Sequence, residues 1–254
     1  MELSRVLEVV CDRGTNVRER WSVGSGYLVS ERVVLTAAHV VTGAESIWVR
    51  FGGQREFPAA SLLVTPGEVD LALLETTDGP AAERPTPCGT VARDVPGQIG
   101  ECRAVGFPQF KELRSEGGRR LRDSVQVDGY IPIAEGLISG FLTLRAMMLP
   151  RAQTGESEWA GMSGAAVFAR DTLVGVVTEH HLAEGEGSLT VTPFDRLHLV
   201  DGQTRDRFWR SLSVSVSPGS PLPVLRPAES GASGAQARKA GVSRLTLPDR
   251  KSVV

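Results

Sequence analysis

Through roughly the first two hundred residues the apolar positions come in short bursts, not in a helical rhythm. The bursts are "VGSGYLVS", "RVVLTAAHVV", "SIWVRF", "VDLALLE", "ECRAVGF", "SVQVDGYI", "GFLTLRAMML", "GAAVFA", "LVGVVTEH" and "SLTVTPF". They are rich in β-branched residues, and Gly or Pro separates most of them, which is the pattern of many short strands joined by turns. Ten such runs exceed what one small sandwich needs. The count predicts an all-β domain over residues 1–213 made of two six-stranded barrels, about 15–85 and about 96–195, with the boundary between Asp78 and Gln98.

Three segments depart from this pattern. "KELRSEGGRRLRDS" alternates charges around Gly117-Gly118 and reads as a solvated hairpin or loop. "PFDRLHLVDGQTRDRFWRSL" reads as a closing helix with Pro193 in its first turn. From about Val214 the chain turns rich in Ser, Pro, Gly and Ala with no apolar period, so 214–254 is expected to be a disordered linker or tail that could tether another module.

Composition narrows the function. Of 254 residues, 41% are hydrophobic, enough to bury a substantial core. Lys plus Arg number 28 against 30 Asp plus Glu, so a net charge of -2 gives no reason to expect nucleic acid or an anionic membrane as partner. Charged residues interrupt "MELSRVLEVVCDRG" where a signal peptide would be apolar, and nothing approaches the ~18 apolar residues of a membrane span. Cys11, Cys88 and Cys102 are odd in number and irregular in spacing, which reads as free buried thiols. Together these predict a cytoplasmic protein. His180 and His181, with Glu179 and Glu184 nearby, are adjacent on a strand and face opposite ways, so no metal site is expected there. Trp21, Trp48, Trp159 and Trp209 read as core or seam packing.

The candidate chemistry lies in three places. Ala37-Ala38-His39 ends a strand-like run with small residues, so the chain can turn tightly and project the imidazole at a fixed angle. In "GEVDLALLE", Asp70 sits among Val69, Leu71, Leu73 and Leu74, where an ionised carboxylate needs a partner such as an imidazole N–H. In "EWAGMSGAAVF", Ser163 lies between Gly161 and Gly164, and glycines let successive backbone N–H groups point into one hollow that stabilises an oxyanion.

Taken together, "VVLTAAHVV", "VDLALLE" and "GMSGAAVF", preceded by "GSGYLVS" and with "AVGFP" between, resemble the trypsin-like serine peptidases of the chymotrypsin fold over roughly residues 15 to 200. The order His39, Asp70, Ser163 is that family's order. The resemblance implies two antiparallel Greek-key barrels with the site in the cleft between them, a polypeptide substrate, a His39–Asp70–Ser163 triad, and no metal or organic cofactor. Gly161 and Ser163 would be the backbone donors of an oxyanion hole. By position it also implies that Ser157 and Glu158 lie near the primary pocket, with Thr178, Glu179 and His180 forming its wall and pairing with extended substrate; no side-chain preference follows. The compact spacing and missing disulfides resemble bacterial intracellular members.

Met162 stands where digestive members carry an Asp that pairs with a newly cut amino terminus, so no processing of that kind is expected. Ala165 replaces a glycine, and Val40 stands where secreted members often place a disulfide cysteine. Two other functions share the same residues. One is a catalytically silent double barrel that binds or scaffolds peptides; the other is an acyl hydrolase acting on non-peptide esters.

Overall fold

The computed structural model describes residues 1–15, 17–52, 55–114, 120–147, 159–179, 187–216 and 221–228. Its first barrel contains β1 (Val6–Asp12), β2 (Trp21–Ser30), β3 (Val33–Thr36), the single helical turn α1 (Ala38–Val41), β4 (Ser46–Phe51), β5 (Arg55–Val64) and β6 (Ala72–Thr76). A linker carries the short β7 (Thr90–Val91). The second barrel contains β8 (Gln98–Gly106) and then, after the separate two-stranded hairpin of β9 (Glu112–Arg114) and β10 (Arg120–Arg122), β11 (Val125–Pro132), β12 (Leu142–Ala146), β13 (Ala166–Ala169), β14 (Thr172–Glu179) and β15 (Ser188–Pro193).

Both barrels close with antiparallel neighbours, in the orders β1-β2-β3-β6-β5-β4 and β11-β12-β15-β14-β13-β8. Counted within each barrel the two orders are the same, so the predicted pair of six-stranded barrels stands. Closure removes every exposed sheet edge within each barrel.

The strands facing the seam lack clean alternation because both of their faces are dry. In β2, β3 and β6, Leu28, Val34 and Leu74 fill the first barrel. Their neighbours Tyr27, Val29, Leu35 and Leu73 point the other way, and meet Val105, Phe107, Phe168 and Val176 of the second barrel. Each such side chain gains about 1.5–3 kcal/mol on leaving water, so the seam packs like a core. It holds rigidly whatever is mounted on its two sides.

The structure revises several expectations. The first barrel starts at Val6, not near residue 15, because Glu8 and Asp12 disguise β1. Glu8 turns outward from the barrel and is buried against Arg50 of β4 at 2.7 Å. Strand β5 was also absent from the apolar pattern, since Pro58 and charged residues break its run. The closing helix is two elements: a 3-10 turn over Phe194–Leu199 following Pro193, then α2 (Gly202–Ser211), whose start is capped by the Asp201 carboxylate accepting from Thr204 N–H. Trp209 of α2 packs edge-on to Phe194 and to Phe208, Phe208 lies tilted against Phe194, and Ser30 Oγ of β2 donates to Ser211 O. Trp21 is half exposed on the outside of the first barrel beside Trp48, so it is not a core residue.

Of the two readings of the charged segment, hairpin or loop, the structure has the hairpin, β9 paired with β10, with Gly117-Gly118 outside the described residues. Within the expected tail, residues 221–228 return to the linker. There β16 (Val224–Leu225) pairs in parallel with β7, and Arg226 makes a two-pronged ion pair with Asp94. Leu222 and Leu225 supply the apolar contacts that draw it in. Among the described residues no helix is long and apolar enough to cross a membrane.

Candidate active site

His39 is the second residue of α1. Ala37 and Ala38 are buried, so the helical turn can lie flat against the barrel end while the imidazole stands half exposed above it. Asp70 reaches it from the turn before β6. In that turn the N–H groups of Val69 and Asp70 both donate to Pro66 O, and Asp70 takes φ +50°, a left-handed conformation that Asp tolerates better than most residues. Arg196, buried beyond the second barrel, donates to Glu68 O from Nε (2.9 Å) and from Nη2, and thereby clamps the turn across the seam.

Three hydrogen bonds then tie Asp70 to the first turn of α1. Its carbonyl accepts from Ala38 N–H (3.2 Å), Oδ1 accepts from His39 N–H (2.8 Å), and Oδ2 lies 2.7 Å from His39 Nδ1. A carboxylate oxygen only accepts, so Nδ1 carries the proton and the lone pair resides on Nε2. The predicted carboxylate–imidazole pair is therefore formed, and its geometry selects one tautomer.

Ser163 lies on the loop between Trp159 and β13. Gly161 (φ +97°) and Gly164 (φ +89°) both adopt left-handed values. Ala160 O accepts from Gln109 N–H (2.7 Å), and because C=O and N–H oppose each other across a trans peptide, Gly161 N–H faces away from that anchor. Met162 O likewise accepts from Ala165 N–H (2.9 Å), which turns Ser163 N–H the other way. Among the described residues neither Gly161 N–H nor Ser163 N–H has an acceptor. Two unengaged donors a residue apart are what an oxyanion needs.

The Ser163 hydroxyl donates to Thr178 O of β14 (3.1 Å), and no hydrogen bond joins it to the His39 ring. The two chain segments are nevertheless neighbours. A Cβ placed on Gly24 would lie 2.7 Å from Val40 Cγ1, beside His39, and 3.0 Å from Ser163 O. Only the width of a glycine separates them.

Of the expected pocket residues, Thr178 is buried on β14 and its Oγ1 accepts from Thr192 Oγ1 (3.2 Å). Glu179 ends β14 opposite Thr190. Ser157, Glu158 and His180 lie outside the described residues, as do His181 and Glu184. Among the described residues no cluster of metal-ligating side chains occurs. Met162 is fully buried in the core of the second barrel. All three cysteines are free and buried, and burial pushes the thiols of Cys11 up to about 11 and of Cys88 and Cys102 up to about 12. Sequence reasoning missed Gln109 and Arg196, which act through backbone groups and carry no motif of their own.

A family model described as a trypsin-like peptidase domain matches residues 24–176, more than half of the chain and all three candidate residues. A protein named a probable periplasmic serine endoprotease DegP-like, from Marinomonas sp. (strain MWYL1), is 34% identical over 124 residues. That match covers 46% of this chain but only 24% of the relative, so the chain spans about a quarter of its length. Among solved structures, a serine endoprotease from Yersinia pestis superposes with a TM-score of 0.53 at 23% identity, covering 80% of this chain and 64% of that one. A protease from M. tuberculosis in its active form gives a TM-score of 0.50 at 16% identity, covering 86% and 85%. These two likenesses concern the fold.

Proposed function

We propose that the chain, which belongs to the trypsin-like peptidase family, is a serine endopeptidase working through an acyl-enzyme. The observation that carries this reading is the Asp70 carboxylate, which accepts at once from the backbone and the ring of His39 and so leaves Nε2 as a base. On substrate binding Ser163 Oγ–H turns from Thr178 O to His39 Nε2. The oxygen then attacks the peptide carbonyl carbon as the proton passes to the ring. The carbonyl oxygen becomes an oxyanion held by the N–H groups of Gly161 and Ser163. The C–N bond breaks, His39 Nε2–H delivers its proton to the leaving amine, and water repeats the sequence on the ester to free the acid and restore Ser163. Asp70 remains ionised and steadies the imidazolium. No metal or organic cofactor enters these steps.

In this reading the substrate runs as an extended strand along β14 at Thr178 and Glu179, near the pocket assigned to Ser157, Glu158 and His180. Met162 already anchors the loop by apolar burial, so no amino-terminal cut is needed to order it. Three buried free thiols support a reducing compartment such as the cytoplasm. The tail beyond residue 228 is read as a tether for a further domain.

A second reading has one observation in its favour: the Ser163 hydroxyl is bonded to Thr178 O and not to His39. A silent peptide-binding module would keep it there. A fluorophosphonate probe separates the two. Labelling of Ser163, with casein hydrolysis that Ser163→Ala abolishes, supports the peptidase; an unlabelled, inactive, folded protein that still binds peptides supports the module.

A further inference from the structure

The motifs "GSG" and "VGFP" have no part in the triad, yet the fold brings them together at Ser25. This serine lies in β2 of the first barrel and is fully buried. Its Oγ accepts from Phe107 N–H (2.9 Å), and a backbone N–H can only donate, so the hydroxyl proton is committed to the other partner, Gly161 O (2.7 Å). Its backbone N–H donates to Ser163 O (2.8 Å), and its carbonyl accepts from Thr36 Oγ1 (2.7 Å). Three of these four bonds cross from the first barrel to the second.

The neighbouring glycines are the space this arrangement requires. A Cβ on Gly106 would sit 2.6 Å from Ser25 Oγ, and one on Gly164 would come closer than 3.0 Å to Ser25 O. Gly161 itself, at φ +97°, belongs to the residue type most free to turn its flanking peptides over. One flanking peptide is held by Gln109 N–H on Ala160 O, the other by Ser25 Oγ on Gly161 O. Gln109 and Phe107 stand on the same loop, so Ser25 also holds the piece of chain that makes the first anchor.

We propose that Ser25 is a positioning residue for the oxyanion hole: its hydroxyl, supplied by the opposite barrel, pins both the Gly161 carbonyl and the Phe107 loop so that Gly161 N–H stays aimed at the developing oxyanion. This rests on the reading of Gly161 and Ser163 as oxyanion donors. Its consequence is that transition-state binding, and not substrate binding, depends on a side chain that touches neither substrate nor triad side chain.

The test compares Ser25→Ala with the parent on a peptide substrate and a peptide boronate, with thermal unfolding alongside. Removing a whole oxyanion donor costs about 10²–10³ in rate, so releasing its anchor is expected to lower kcat about 10- to 100-fold. KM should move less than about threefold, and boronate affinity should fall by the same factor as kcat. Thr36→Val serves as the control, since it removes the other side-chain bond to Ser25 and leaves Gly161 O alone; it should lose stability while its ratio of boronate to substrate affinity stays at the parent value. If Ser25→Ala does not fold, Ser25→Cys, with a weaker donor, is read the same way and should give an intermediate loss. Unchanged kcat in a folded variant, or equal losses of boronate and substrate binding, would overturn the proposal. A parent that is neither labelled nor active overturns the peptidase reading instead.

Discussion

Replacing Asp70 by Asn tests the tautomer argument directly. The amide keeps the shape of the carboxylate but has one acceptor and one donor in place of two acceptors. Asp70 faces two donors, His39 N–H at 2.8 Å and Nδ1–H at 2.7 Å. If the amide oxygen keeps the backbone N–H, the NH₂ group faces Nδ1, which must then accept; the ring proton moves to Nε2 and the base is lost. If the amide flips, Nδ1 keeps its proton but the NH₂ group opposes His39 N–H, and one unsatisfied donor costs about 1–3 kcal/mol. In either orientation the imidazolium formed during proton transfer loses a charge-assisted hydrogen bond of about 1.5–3 kcal/mol. In the flipped orientation the two sum to about 2.5–6 kcal/mol, which corresponds to a fall of about 10²- to 10⁴-fold in kcat. KM should change little, and the melting temperature should hold if the amide oxygen keeps the backbone N–H but fall by about 2–4 °C per kcal/mol of lost stability if it flips. Initial rates on a fluorogenic peptide at pH 8, with circular dichroism to verify folding, measure this. Activity within tenfold of the parent would refute the claim that Asp70 sets the tautomer of His39.

Three further outcomes follow from local geometry. Gly164→Ala places a Cβ closer than 3.0 Å to Ser25 O and Thr36 Oγ1 at φ +89°, so it should lose about 2–5 kcal/mol of stability, read by urea unfolding. A change below half a kilocalorie would contradict the packing described. With their pKa values raised to about 11 and about 12, Cys11, Cys88 and Cys102 should stay protonated at pH 8 and resist iodoacetamide in the folded protein. All three should alkylate in guanidinium, and mass spectrometry counts the adducts. Arg226 holds the Asp94 carboxyl below its usual range, so the ion pair's contribution to docking of β16 is complete above the ordinary carboxylate pKa and is lost as pH falls through the lowered value. The protection factors of residues 221–228, exchange rates corrected for the intrinsic pH dependence, should therefore fall in acid, and Arg226→Ala should show the lower protection already at pH 7. Because the pair is exposed, the change should be confined to that segment.

The part of the fold legible along the chain is local and repetitive. Apolar bursts between Gly and Pro imposed a double set of short strands, because buried sheets demand such runs wherever they occur. Ala37-Ala38-His39, Asp70 within an apolar run, and the glycines around Ser163 marked residues whose chemistry would be hard to explain in an inert core. Where a strand carried an outward Glu, as in β1, or a Pro, as in β5, the pattern failed, since the compensating partner Arg50 lies far along the chain. The tail showed the same limit. Val224-Leu225 looks like linker until the linker between the barrels offers it a backbone to pair with. Folding alone made the long-range bonds onto backbone carbonyls: the Arg196 side chain on Glu68 O, Gln109 N–H on Ala160 O, the Ser25 hydroxyl on Gly161 O. Every residue carries the same carbonyl and nearly every one the same N–H, so no pattern of side chains announces which of them a fold will aim, hold or leave open.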